Sequence, residues 1–93
     1  MSRRIILSPD AQADVSAIER WYRAKDPSLA SAFRTELRST LRVMTQYPHA
    51  FLKVKGGTRR ALMKQFPYVI YFRVANGEVA VLAVLHKRRL QSY

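Results

Sequence analysis

The groups best suited to chemistry stand together near the end of the chain, in the run His86-Lys87-Arg88-Arg89 and the terminal Tyr93. An imidazole and a phenol can exchange protons, and neighbouring arginines can hold a phosphate, so this tail suits acid–base work on a phosphodiester. Arginine stays protonated at any ordinary pH, so Arg88 and Arg89 would grip an anion and not accept a proton. A plainer role for His86 is to end a strand, hydrogen-bonded to backbone. Tyr93 would then be a free chain end. Cysteine is absent, which rules out disulfides and thiolate ligands. His49 and His86 lack ligand-like spacing, so neither metal nor cofactor is expected.

Charge widens the field from the tail to the whole chain. Seventeen Lys and Arg against six Asp and Glu give a net charge of +11. Residues 1–52 hold eight basic and five acidic side chains, whereas residues 53–93 hold nine basic ones against Glu78 alone. A small soluble domain ordinarily carries a net charge of about 2–8. The excess points to a polyanionic partner, either nucleic acid or an acidic protein segment. The chain has 93 residues, enough for a single domain, 1–93. No apolar run reaches the roughly 18 residues of a membrane span, and the apolar part of MSRRIILSPD is too short for a signal peptide. A cytoplasmic protein with no membrane partner is the expectation.

What positions the tail is the stretch Thr58–Tyr93, with apolar runs at Ala61–Phe66, Tyr68–Val74 and Val79–Leu85. Tyr, Val, Ile and Phe dominate them, which favours strands. Asn76-Gly77 suits a tight turn because both residues tolerate positive φ. Val79–Leu85 is apolar throughout and should be covered on both faces. Pro67 cannot donate a ladder hydrogen bond and marks a tight corner between strands of about seven residues each. Arg3–Leu7 is a further short strand candidate.

Two helices are expected between them. Ser8-Pro9 is a cap followed by a proline suited to the first helical position, and Asp26-Pro27 repeats the signal. Ala11, Val15, Ile18 and Tyr22 form the apolar stripe of the first helix, with Trp21 at its border. Leu29, Phe33, Leu37, Leu41 and Met44 form that of the second, which Tyr47 extends before Pro48 stops it. Pro48–Gly57 reads as a loop, with Phe51 and Leu52 as anchors and Lys53 and Lys55 as solubilising charges. The fold class is therefore α+β in the order β-α-α-β-β-β, with a helical hairpin packed on one face of a mainly antiparallel four-stranded sheet.

Several residues remain as candidate contacts. Arg34, Arg38 and Arg42 step by four along the second helix and could meet an acidic partner, although such ladders are commonly just solvated. Trp21 and Tyr22 belong to the core unless one lies at the hairpin rim, where an aromatic anchors a partner helix well. Tyr71 and Arg73 share a strand face and could line the surface away from the helices. An extended peptide could also add a strand to an exposed sheet edge.

The helical hairpin, then FPYVIYFRV (Phe66–Val74) and VLAVLHKRR (Val81–Arg89), resembles the ParE/RelE superfamily of toxins from bacterial type II toxin–antitoxin systems, closest to its ParE-like branch. The resemblance spans essentially the whole chain. It implies one of two activities, inhibition of DNA gyrase (ParE-like) or ribosome-dependent cleavage of mRNA (RelE-like). Either would be neutralised by a cognate antitoxin, for ParE usually a ParD-like ribbon-helix-helix protein. RelE-like chains carry paired lysines on the second strand and tend to place an arginine where this chain has Val69. Here the second strand offers Arg60 and Lys64, so the ribonuclease alternative would rest on Arg60, Lys64, His86, Arg88 and Tyr93. On the gyrase reading, Arg60, Arg73, His86, Lys87, Arg88 and Arg89 would face the target. Trp21, Tyr22, Arg34, Arg38 and Tyr71 would face the antitoxin. A non-toxic member that only binds its antitoxin is a third possibility.

Overall fold

A computed structural model describes residues 3–88. The first strand, β1 (Arg4–Leu7), ends at Ser8, whose extended backbone and side-chain oxygen cap helix α1 (Pro9–Lys25). That oxygen accepts from the Ala11 amide at 3.0 Å, and Pro9 fills a position where no amide is needed. Asp26 closes α1 and opens α2 (Pro27–Gln46), accepting from the Ser28 amide and hydroxyl at 2.9 Å each. These two bonds hold its carboxyl below the usual carboxylate range. With a single residue between them, the helices fold back as a hairpin. Glu19 of α1 meets Arg34 of α2, Nε to Oε2, at 3.1 Å.

A 3-10 turn (Pro48–Ala50) leads into strands β2 (Leu52–Lys55), β3 (Thr58–Leu62), β4 (Tyr68–Ala75) and β5 (Glu78–His86). The sheet has five strands in the order β1-β5-β4-β3-β2, parallel between β1 and β5 and antiparallel elsewhere. The expected four strands are thus corrected to five. The extra one is β2, read from sequence as loop. It is short, lysine-rich and exposed at most positions, and its register slips between Lys53 and Lys55. A charged, bulged edge strand has no apolar alternation to betray it, and these same features protect an edge from unwanted pairing. The turn glycines were visible, and Gly56 at φ +56° makes the tight link from β2 to β3.

The corner at Pro67 is also longer than expected. β3 stops at Leu62, and residues 63–67 form a bend in which the Glu36 carboxylate of α2 accepts from the amides of Lys64 and Gln65. The turn between β4 and β5 follows expectation: Asn76 and Gly77 both have positive φ, 53° and 74°.

Two cores result, one on each side of the sheet. The larger joins Ala11 and Ile18 of α1, and Phe33, Leu37 and Met44 of α2, to Ile70, Phe72, Val79, Val81 and Val84. The smaller, away from the helices, contains Val69, Tyr71 and Ala83, with Val54 and Leu85 against them. Val79–Leu85 thus feeds both layers, as its unbroken apolarity required. Three residues expected in the helical stripes lie outside the core: Trp21, Leu29 and Tyr47 are exposed. Each sits at the end or border of its stripe, where helical spacing alone does not decide burial.

The joint between α1 and β5 is specific. The register of β5 on β4 skips Leu82, a bulge. Beside it β1 has ended, and α1 takes over its bonding: the Ser8 amide donates to the Val81 carbonyl at 2.9 Å and the Ser8 hydroxyl to the Leu82 carbonyl at 3.0 Å. The Val84 amide then donates to Asp14 Oδ2 at 2.9 Å. Side chains of α1 therefore satisfy backbone that a longer β1 would have paired.

Candidate functional surfaces

Strand pairing assigns each candidate to a side of the sheet. His86 pairs with Tyr68, and Ile70 with Val84, so His86 lies on the helix side. Its ring stands 5.6 Å from that of Tyr68, and its Nδ1 accepts from the Arg88 amide at 3.2 Å. That bond occupies the Nδ1 lone pair with backbone. Arg60, by contrast, pairs with Tyr71 and through it with Ala83, on the face away from the helices. The sheet therefore separates Arg60 from His86.

Lys64 lies past the end of β3. Its amide is bound by Glu36, and its side chain lines a hollow with Ala32, Thr35 and Ser39 of α2. The expected pairing of Arg60 and Lys64 on one strand is corrected accordingly: the bend at residues 63–67 separates them. Arg88 is exposed in the short turn after β5. Arg89 and Tyr93 lie outside the described residues, so the ribonuclease constellation is placed here only at Arg60, Lys64, His86 and Arg88. Of these four, His86 and Arg88 stand together, and Arg60 lies across the sheet from them.

The open face of the sheet carries the binding candidates Arg60 and Arg73. Arg73 is exposed, and its Nε donates to the Thr58 hydroxyl at 3.3 Å. Leu52 pairs with Arg60 on this face, and Leu62 follows two residues on; both are more than half exposed. Leu52, expected to anchor the loop to the core, is thereby corrected to a surface group, and Leu62 was missed as one because it sits in an apolar run. Tyr71, expected as an antitoxin contact, is 1% exposed and belongs to the smaller core.

On the helix side, a groove of about 410 Å3 runs between α1 and the end of β5, lined by Ile18, Trp21, Tyr22, Pro67, Tyr68 and His86. Trp21 is 55% exposed, packs edge-on against Tyr22 at 5.0 Å and lies under the Lys25 ammonium at 4.8 Å. Tyr22 turns inward to Phe33, Phe66 and Tyr68. Burial, then the nearby Tyr22 phenol and its hydrogen bond, push the Tyr68 hydroxyl up to about 12. Tyr68 was not singled out from sequence, since an aromatic in an apolar strand signals core first.

The arginine ladder of α2 divides. Arg34 is held by Glu19, which raises its pKa through the hydrogen bond and the opposite charge. Glu19 also lies 4.0 Å from Arg23. Arg38 and Arg42 have no carboxylate partner among the described residues, and with Arg3 they line a second groove between α2 and β1. Arg3 was the unforeseen member, because only the fold brings the chain start beside the end of α2. Among the described residues no helix is long and apolar enough to cross a membrane.

Comparison with known proteins agrees with this architecture. The family model described as the ParE toxin of type II toxin–antitoxin system, parDE, matches residues 5–91. A solved structure titled "Chromosomal ParDE TA system from P. aeruginosa" superposes with a TM-score of 0.79 at 19% identity, covering 91% of this chain and 96% of that one. At that identity the likeness concerns the fold. No curated protein matches.

Proposed function

Because this chain belongs to the ParE toxin family of type II toxin–antitoxin systems, we propose that it arrests growth by binding DNA gyrase and that a ParD-like ribbon-helix-helix antitoxin neutralises it. The observation that carries this reading is the separation of Arg60 from His86 by the sheet. Cutting RNA through its 2′-hydroxyl needs a base, a phosphate clamp and an acid around one atom. Here Lys64 borders a hollow beside α2, Arg60 faces the open side, and His86 has Nδ1 engaged by backbone. What remains is cationic surface. Arg60 and Arg73 on the open face, with His86, Lys87 and Arg88 at the strand end and Arg89 next in the sequence, form the proposed target contact. Trp21 and Tyr22 in the aromatic groove, with Arg38 on α2, form the proposed antitoxin contact. Arg34 contributes less, being already paired.

Purified protein added to gyrase, ATP and relaxed DNA tests the target directly. Loss of supercoiling with ribosome-bound mRNA left intact supports the proposal. Cut mRNA with unimpaired supercoiling overturns it in favour of a RelE-like ribonuclease. A chain inert in both assays and harmless on expression would be a member that only binds its antitoxin.

A further inference from the structure

The open face of the sheet, away from the helices, is ordered in rows. Strand pairing sets Leu52, Arg60, Tyr71 and Ala83 side by side across β2, β3, β4 and β5, and Leu62, Val69 and Leu85 in the next row. Val69, Tyr71 and Ala83 are the buried floor, the smaller of the two cores. Leu52 and Leu62 stand more than half exposed at its border, and Arg60 neighbours both, opposite the first and two residues before the second. Arg73 follows one row on, its Nε donating to the Thr58 hydroxyl at 3.3 Å. The ion pairs among the described residues use Arg4, Arg23 and Arg34, so neither Arg60 nor Arg73 has a carboxylate there.

These features select among occupants. β3 and β4 are paired on both sides, so the backbone here offers no free edge to an added strand. Contact must come from side chains alone, which suits a helix. The row from Leu52 to Ala83 spans three strand spacings, roughly 14 Å at about 4.8 Å each, or two to three helical turns of about 5.4 Å. Nucleic acid fits less well. Tyr71 is buried, so this face offers a base no exposed ring to stack on, and phosphates would leave both leucines wet. A second copy would set Arg60 and Arg73 against arginines, between chains that each carry a net charge of +11.

We infer that the open face takes an amphipathic, acidic helix of a protein partner. Its apolar side chains pack on Leu52 and Leu62, and its carboxylates reach Arg60 and Arg73. The inference deepens the proposed function and rests on it for the source of the helix, which is the target and not the antitoxin. Leu52 and Leu62 then supply the apolar anchors of a contact that charge alone would not hold.

The test uses the full chain and a fluorescent helical peptide with leucines at i, i+4 and i+7 flanked by glutamates; a single-stranded oligonucleotide is the competitor. Leu52→Ser with Leu62→Ser is expected to weaken the peptide by on the order of 25-fold, about 5-fold per leucine. Arg60→Gln with Arg73→Gln should weaken it by about 10-fold. Leu29→Ser with Val43→Ser makes the same polarity change at exposed sites of α2 and should weaken it by no more than about 2-fold. Melting temperatures confirm that the variants fold. In amide NMR spectra the peptide should shift Arg60, Tyr71 and Ala83 and leave Trp21 and Arg38 in place. Equal losses in the two leucine-type variants would overturn the inference, as would shifts confined to the helix side or displacement of the peptide by a tighter-binding oligonucleotide. Full gyrase inhibition by folded Leu52→Ser with Leu62→Ser would overturn the assignment of the helix to the target. The peptide measurement needs no gyrase, so a chain that takes the peptide on this face yet spares gyrase refutes the proposed function alone.

Discussion

Removing the Asp14 carboxylate should loosen α1 from the sheet without touching the hydrophobic core. Asp14 Oδ2 accepts from the Val84 amide at 2.9 Å, in the slot beside β5 that β1 leaves when it ends at Leu7. Asp14→Ala takes that acceptor away. A part-buried donor left without a partner costs about 1–3 kcal/mol. Asp14 lies past the first turn of α1, where the helix dipole has largely faded, so the hydrogen bond is the main loss. At about 2 kcal/mol, and with about 4–8 °C per kcal/mol for a domain of this size, the melting midpoint should fall by roughly 8–16 °C. Asp14→Asn keeps an acceptor oxygen and loses only the charge assistance, so its fall should be about half as large. Circular dichroism gives the midpoints, and amide exchange gives the site. Val84 should be protected in the parent chain and fast in Asp14→Ala, while Ile70 and Phe72 in the centre of β4 stay protected. A fast Val84 amide in the parent, or a midpoint unmoved by Asp14→Ala, would refute this account of the joint.

Phe33→Ala removes the ring that stacks on Tyr22 and stands edge-on to Phe66 and Tyr68; a loss of about 3–5 kcal/mol is expected, read as the urea midpoint. The Tyr68 phenol, at about 12 when folded against 10.0 when free, favours the folded chain fully below pH 10, and that contribution is lost as pH rises to about 12. Ultraviolet titration should show this late-ionising tyrosine. Tyr22→Phe should lower its pKa without bringing it to 10, because burial is the first cause. Arg88→Ala with Arg89→Ala should weaken growth arrest on induced expression at an unchanged melting temperature. Full arrest by the folded double variant would exclude the tail from target contact.

Much of this structure was legible in the sequence, and the gaps have physical causes. Proline behind a capping residue marked both helix starts, Asn76-Gly77 marked its turn, and unbroken apolarity marked β5 as covered on both faces. β2 escaped because an edge strand must be charged and irregular to stay unpaired, which removes the alternation by which strands are found. The site was less legible than the fold. Arg60 and Lys64 read as strand neighbours until Glu36, far away in sequence, pinned the bend that parts them. Arg3, Arg38 and Arg42 gave no joint signal, because their meeting depends on β1 lying against the last turns of α2. Tyr71 looked available on the strand pattern, and its depth is a property of the second core alone.

The distance between the α2–β1 groove and the basic tail constrains how neutralisation can work. Ile5 pairs with Val79, and the run of β5 from there to His86 covers roughly 23 Å at about 3.3 Å per residue. At physiological ionic strength the Debye length is about 8 Å, so a carboxylate seated on Arg38 or Arg42 lies nearly three screening lengths from the tail. Its charge cannot switch off Lys87 and Arg88. The open face, with Arg60 and Arg73, lies across the sheet from the groove. Charge cancellation at that distance is therefore weak, and on the proposed function an antitoxin would have to cover the surface it silences. On the proposed function, a peptide confined to that groove should leave gyrase inhibition unchanged, whereas one extended along α1 to the Trp21–His86 groove should relieve it. Relief by the short peptide at physiological salt would show that occupation of the groove reshapes the distant surface, and the screening argument would then fail.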